Sequence, residues 1–203
     1  MVIYVMRHGQ TDWNVQKRLQ GRSDTQLNDK GRELAQITGE ALREVPFDIA
    51  FTSPLMRAKE TALLALGGRK VPLVEDDRLI EISFGEYEGL CSGRENYEIP
   101  DPNFSYFFTA PDRYQVPERG ESFEMLHRRT AAFLLDITRR PQLEDKTVLV
   151  TTHGAAGRAL LNALRTFEMK DFWNGGVSKN CSVAILESHQ GEVTLIEENK
   201  VYY

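Results

Sequence analysis

Val2-Ile3-Tyr4-Val5-Met6-Arg7-His8-Gly9, near the start of the chain, and Thr147-Val148-Leu149-Val150-Thr151-Thr152-His153-Gly154, much further along, share one pattern. Each is an apolar, β-branched run that reads as a strand and stops at a histidine followed by glycine. In an open α/β sheet, ligands bind in the crevice beyond the carboxyl ends of the strands. Two such strands can deliver two imidazoles to one pocket. Glycine after each lets the backbone turn and lets a ligand approach closely.

The flanking sequence supplies the rest of a sheet. Ile49–Thr52 and Ser182–Leu186 read as further strands, and Val193–Glu197 as an edge hairpin with the latter. Between them lie helical patterns. Asn28 suits the cap of a helix whose apolar face uses Leu34, Ile37, Ala41 and Leu42. Ser53-Pro54 predicts a helix start, serine as cap and proline in the first position, leading into Leu55–Leu66. Phe123, Leu126, Phe133 and Ile137 recur at helical spacing and predict a long helix over Glu121–Arg140. Gly154–Leu164 is the last clear helix. Strands alternating with helices imply parallel pairing, and so a three-layer α/β/α sandwich with a mostly parallel central sheet. One domain over residues 1–203 is expected. The segment Cys91–Arg119 departs from the pattern: it holds four of the eight prolines and six aromatics (Tyr97, Phe104, Tyr106, Phe107, Phe108, Tyr114). A disordered linker is poor in aromatics, so residues 91–119 read as an ordered lid insertion.

Composition narrows the function. A chain of 203 residues with 41% hydrophobic and 27% charged residues is ordinary for a soluble α/β domain. The net charge of −5 argues against a general nucleic-acid or membrane-surface binder, yet a cleft can still focus positive potential on an anionic substrate. Met1–Met6 leads directly into a strand pattern, without a basic start or an apolar run of signal length, and no stretch is long enough to span a bilayer. The two cysteines, Cys91 and Cys181, lie in no metal-type spacing and suit two reduced thiols. A cytoplasmic enzyme is expected, and a homodimer is left open.

Arg7 adjoins the first histidine, and Arg57 lies on the helix that follows the strand Ile49–Thr52. Permanently charged guanidiniums repel a divalent cation and match the paired oxygens of phosphate. The helix N-termini near Gly154 and Ser53 are expected to add anion preference. Two histidines with a carboxylate remain the signature of a metal site, which is the chemical competitor. In a phosphate pocket, neutral imidazole can attack phosphorus, splitting the transfer into two easier steps. Glu81, after an extended stretch and before a glycine-bearing turn, is the candidate acid, with Glu86 and Glu88 as rivals. His127 and His189 read as surface residues.

These residues carry a resemblance. Met6-Arg7-His8-Gly9-Gln10-Thr11-Asp12-Trp13-Asn14 is similar to the signature of the histidine phosphatase superfamily, in its phosphoglycerate mutase-like branch and of the alpha-ribazole or broad-specificity phosphatase type. The match continues through Leu19-Gln20-Gly21-Arg22-Ser23-Asp24, Leu27 with Gly31, Ser53-Pro54-Leu55-Met56-Arg57-Ala58, Glu81 with Phe84-Gly85, Gly120-Glu121-Ser122 and Thr152-His153-Gly154. The resemblance implies His8 as phosphorylated nucleophile, Arg7, Arg57 and His153 as ligands of the phosphoryl oxygens, and Glu81 as proton donor and later base. It further implies that Asn14, Gln20, Gly21 and the Gly154 backbone line the phosphate site, with no metal and no organic cofactor. Trp13 is expected to pack rather than react. Two positions depart from the family pattern: Tyr87 stands where many phosphatase-type members carry tryptophan, and Arg119 where relatives often carry glycine. Arg119 reads equally as exposed or as reaching into the cleft.

The same core supports mutases, which return the phosphoryl group to bound substrate. A mutase must hold a highly anionic intermediate away from water, which calls for a basic lid. Residues 91–119 carry three arginines, no lysine and five acids, and the chain is shorter than the mutases it resembles. Hydrolysis of a small phosphorylated metabolite by a metal-independent phosphomonoesterase is the expected activity. Mutase-type transfer and a non-catalytic phospholigand-binding module are the alternatives, though the latter would be expected to lack the nucleophile or the acid. The lid aromatics suit a ring-bearing leaving group and the lid's own small core equally.

Overall fold

A computed structural model describes all residues from Met1 to Tyr203. In chain order the elements are β1 (Val2–Arg7), α1 (Asp12–Val15), α2 (Asp29–Ala41), β2 (Ile49–Thr52), α3 (Met56–Leu66), β3 (Leu73–Glu75), α4 (Tyr106–Thr109), α5 (Phe123–Thr138), β4 (Thr147–Thr152), α6 (Gly154–Asn162), β5 (Val183–His189) and β6 (Glu192–Lys200). The strands form one sheet in the order β3-β2-β4-β1-β5-β6. The first four pair in parallel, while β5 runs antiparallel to β1 and β6 antiparallel to β5. This is the expected mostly parallel α/β/α sandwich with an antiparallel edge hairpin. β3 was not legible as a strand because it is three residues long and none of them is buried.

The sheet is buried on both faces by strict alternation of side chains. Ile3, Val5, Val148 and Val150 join Phe133, Leu134, Ile137 and Leu160 of α5 and α6 on one side. Met6, Ala50 and Leu149 join Leu34, Ala35, Ala65 and Leu66 of α2 and α3 on the other. Asn28 caps α2 as expected, its side chain accepting from the Gly31 amide at 2.8 Å. The buried stripe of α2 differs, however. It runs through Gly31, Leu34, Ala35 and Thr38 and ends at Leu42, while Ile37 and Ala41 are exposed. Small residues occupy it because the backbones touch: a Cβ on Gly39 would sit 2.6 Å from the Ala65 carbonyl of α3.

Two helix starts are corrected. The predicted Glu121–Arg140 helix is α5, Phe123–Thr138, capped by Ser122. Glu121 lies before it, buried in an ion pair with Arg129 at 2.7 Å. α3 begins at Met56, not after a Ser53 cap, and its N-cap Leu55 offers no side-chain bond. Asp24, remote in sequence, accepts from the Met56 amide at 2.7 Å instead. Ser53 turns its hydroxyl toward the pocket described below.

Residues 91–119 form short turns around α4 and pack through a shared apolar cluster. Phe104 and Phe107 stack with centroids 5.8 Å apart and are buried against Phe84, Phe123 and Phe172. Tyr87 meets Phe104 edge-on in the same cluster. Trp173 donates its indole N–H to the Phe107 carbonyl. The buried aromatics are therefore this segment's own core, while Tyr97 and Phe108 remain about half exposed. Cys91 and Cys181 are free and buried. No helix is long and apolar enough to cross a membrane.

Candidate active site

Sheet register creates the site. Arg7 of β1 lies opposite Thr152 of β4, so the next residue on each strand, His8 and His153, emerges side by side. Their rings are 5.1 Å apart between centroids. Thr52 of β2 pairs with Thr151, which places Ser53 beside His153. The Gly9 turn packs against the first turn of α2 so tightly that a Cβ on Gly9 would fall 2.6 Å from the Gly31 carbonyl oxygen. No larger residue fits there.

His8 is 3% exposed. Its Nδ1 lies 2.7 Å from the Gly9 carbonyl oxygen. A carbonyl can only accept, so Nδ1 carries the hydrogen and Nε2 keeps a free lone pair. Burial, and then Arg57 and Arg7, hold the His8 pKa well below its ordinary value, so the ring is neutral. Burial and Arg57 likewise hold His153 well below its ordinary value. His153 Nε2 pairs with Ser53 Oγ at 2.8 Å, and its Nδ1 is buried with no partner in the protein.

The two arginines are held by carbonyls alone. Arg57, fully buried, donates Nη1 to Ser23 O and Nη2 to Gly21 O, both at 2.7 Å. Its Nε is buried without a partner. Burial lowers its pKa to about 10. Arg7 donates Nη1 to the Ser178 carbonyl, and its Nε too is buried and unpartnered. Burial lowers the Arg7 pKa, with Glu81 the largest opposing influence. Neutral carbonyls fix both guanidiniums in place, and no carboxylate bonds to either directly. Such a pocket is preorganised for an anion.

Asn14 and Gln20 complete the rim in a like manner. Asn14 Oδ1 accepts from the Thr11 amide at 3.1 Å and from Asn180 Nδ2 at 3.3 Å. Gln20 Oε1 accepts from the hydroxyls of Thr11 at 3.0 Å and Thr25 at 2.6 Å. With both carbonyl ends taken, the amide NH₂ groups are the ends left for a ligand. Gly21 sits at the turn whose carbonyl holds Arg57.

Glu81 reaches the first turn of α6. Its carboxylate accepts from the amides of Ala156 at 2.9 Å, Ile82 at 3.0 Å and Ala155 at 3.1 Å. Oε2 would lie 3.6 Å from a Cβ placed on Gly154, and Arg7 Cζ 3.7 Å from the same point. Glu81, Gly154 and Arg7 therefore share one corner. The expected anion preference of the helix N-termini is corrected here: the Ala155 and Ala156 amides serve Glu81, and the Met56 amide serves Asp24. Cationic side chains carry the preference instead.

The rivals separate. Glu86 is exposed. Glu88 is taken up by the Arg22 and Ser23 amides. Arg119 points outward, its side chain 86% exposed beside Glu118. His189 is exposed as expected, but His127 is half-buried, with Nδ1 against the Ala159 carbonyl at 3.2 Å. Trp13 is half-buried against Gly89. No group of three or more His, Cys, Asp or Glu side chains is placed to hold a metal ion.

Three supporting residues, Thr61, Ser178 and Asn180, have no place in the sequence pattern above, and Ser53, expected as a helix cap, instead meets His153. Thr61 follows Arg57 by one helical turn and its Oγ1 accepts from the Gly9 amide at 2.9 Å, so its spacing was a usable signal. Asn180 Nδ2 donates to the His8 carbonyl at 3.0 Å. It and Ser178 reach the site because β5 is antiparallel, which brings the loop before it to the carboxyl end of β1. Nothing local in their sequence announces that.

Comparison with known proteins places this geometry. The model of the histidine phosphatase superfamily (branch 1) matches residues 3–200. A solved structure from Bacillus stearothermophilus, YhfR, superposes with a TM-score of 0.91 at 35% identity, covering 98% of this chain and 97% of that one. The adenosylcobalamin/alpha-ribazole phosphatase of Salmonella typhimurium is 32% identical over 187 residues, 91% of this chain and 90% of its own. A 2,3-bisphosphoglycerate-dependent phosphoglycerate mutase of Cytophaga hutchinsonii is 33% identical over 175 residues, 84% of this chain and 80% of its own.

Proposed function

Because the chain belongs to the histidine phosphatase superfamily (branch 1) and is a phosphatase of phosphoric monoesters, we propose that it works through a phosphohistidine on His8. One observation carries this reading. Three buried nitrogens without a protein partner, Arg7 Nε, Arg57 Nε and His153 Nδ1, belong to the side chains that act on or adjoin the neutral His8 imidazole. Buried polar groups are normally satisfied, so orphaned donors on two guanidiniums and an imidazole suit an anion.

The phosphoryl group of a small phosphorylated metabolite sits among Arg7, Arg57 and His153, with the amides of Asn14 and Gln20, the Gly21 turn and the Gly154 backbone at its edge. Ser53 Oγ accepts from the Leu55 amide at 3.3 Å and donates to His153 Nε2, which leaves the Nδ1 hydrogen for a phosphoryl oxygen. His8 Nε2 attacks phosphorus, and the P–O bond to the leaving group breaks. Protonated Glu81 gives its proton to the departing oxygen. A water molecule then attacks the phosphohistidine, Glu81 takes its proton, the N–P bond breaks, and orthophosphate leaves. The arginines and His153 stabilise the negative oxygens throughout.

Release to water, rather than return to substrate, is supported by the insertion at 91–119. Its arginines do not roof the pocket: Arg94 is exposed, Arg113 lies over the Tyr106 ring at 4.4 Å, and Arg119 turns to Glu118. We read this insertion as the lid that sets leaving-group specificity. Two unpaired buried thiols support a cytoplasmic setting.

The test is turnover of an aryl phosphate with and without chelator, together with quenching of labelled enzyme. Chelator-insensitive turnover and an acid-labile, base-stable phosphoenzyme that disappears in His8→Ala are expected. Loss of turnover with chelator, or a His8→Ala variant at parental rate, overturns the reading.

A further inference from the structure

We propose that Glu88 is a positioning residue that sets the Arg57 guanidinium through the Gly21–Ser23 loop. The proposal rests on the role given above to Arg57. The Glu88 carboxylate accepts five bonds: from Arg22 N at 2.9 Å, Ser23 N at 2.8 Å, Ser23 Oγ at 2.7 Å, Phe84 N at 3.2 Å and Ser83 Oγ at 3.4 Å. On its other side the same loop presents Gly21 O and Ser23 O to Arg57.

The decisive detail is that Gly21 O and Arg22 N belong to one peptide group. That group is planar and trans, so its C=O and N–H point in opposite directions. Arg57 Nη2 holds one end and Glu88 Oε1 the other, which makes a rigid strut from carboxylate to guanidinium. Hydrogen bonds in such a chain polarise and strengthen one another. Glu88 thereby anchors the cation without touching it.

Two further observations fix the loop. Asp24 Oδ1 accepts from the Met56 amide, tying the loop to the first residue of the helix that bears Arg57. Gly21 has φ +49°, and a Cβ there would lie 2.1 Å from Glu88 Oε1. Carboxylate and turn are packed as one unit.

A loop staple of purely structural kind would affect stability and act independently of Arg57. A double-mutant cycle separates the two. With an aryl phosphate as substrate and inorganic phosphate as competitive inhibitor, Glu88→Gln is expected to lower kcat/KM by about tenfold to a hundredfold, the scale of a small misplacement of a catalytic group. Inhibition by phosphate should weaken in parallel. In an Arg57→Ala background, the same Glu88→Gln change should have less than about a twofold effect, the range in which independent sites already scatter. Equal losses in both backgrounds, or no loss with Arg57 intact, overturn the proposal. If Arg57→Ala alone costs nothing, the reading of Arg57 fails instead. Should Glu88→Gln not fold, Ser23→Ala runs through the same cycle. It removes one of the five donors, so a smaller loss that vanishes with Arg57→Ala is expected, and an additive loss overturns the strut.

Discussion

Arg57→Ala tests the pocket most directly, because two independent readouts must move together. Its guanidinium is fully buried, paired only with two carbonyls, and its Nε has no partner. Removing one donor from an oxyanion site costs about 10²–10³ in kcat. An arginine that stabilises a transferring phosphoryl group is worth about 10³–10⁵. The unpartnered Nε plus one full charge argues for the overlap, about 10³-fold in kcat, or about 4 kcal/mol. The second readout is pH. His8 must be neutral to attack, and its pKa is depressed by burial first and by Arg57 next. Activity therefore persists below the ordinary histidine range and is lost as pH falls through the depressed value. Without Arg57 the repulsion is relieved but the burial remains, so the acidic limb should move upward and stop short of pH about 6.5. The assay is kcat and kcat/KM for an aryl phosphate across acidic to neutral pH. The substrate's own titration is common to both proteins and cancels in the comparison. A variant within tenfold of the parent in kcat, or with an unmoved or lowered acidic limb, refutes the placement of Arg57.

The remaining expectations are shorter. Glu81→Gln should lose about 10²–10⁴ in rate on alkyl phosphates, whose alkoxides need a proton, and much less on nitrophenyl phosphate; equal losses on both would remove Glu81 from the acid's role. Phe107→Ala should destabilise by about 3–5 kcal/mol in denaturant titration and expose residues 91–119 to protease, since this ring is buried among six aromatic neighbours. A change under about 1 kcal/mol would show that the segment does not depend on its aromatic cluster. Stability should also fall on acidification: His8 and His153 bind protons more weakly folded than unfolded. From about pH 6.5 down to their depressed values, the unfolded chain takes up protons that the folded one excludes. A His8→Asn, His153→Asn double variant should flatten that part of the Tm–pH curve, and an unchanged slope would count against two buried neutral imidazoles.

Much of the candidate site was legible before any tertiary contact was known. Strand runs that stop at Arg7-His8-Gly9 and at Thr152-His153-Gly154 are local patterns, fixed by period and by the residues that end it. Arg57 was placed by its helix, and the resemblance ordered the rest. Helix starts were less legible, because capping can be tertiary: Asp24 serves α3 across 32 positions of chain, and Ser53 is left free for His153.

What the sequence by itself determined is the set of chemical groups: two imidazoles, two guanidiniums and a carboxylate on elements of known type. The tertiary structure alone decided which groups meet and which stand idle. The pairing of Arg7 with Thr152 aligns the histidines. The antiparallel turn into β5 brings Ser178 and Asn180 beside β1. Glu81, Glu86 and Glu88 sit within eight residues of each other with the same side-chain chemistry, and only packing sends the first to α6, the second to solvent and the third to the Gly21 loop. The aromatics of residues 91–119 follow suit, since an apolar ring serves a core or a ligand equally until its neighbours are known. Residue type and period act between near neighbours on the chain. Register, strand direction and the partner of a buried donor are set by groups far apart in sequence, and they become definite only when the sheet closes.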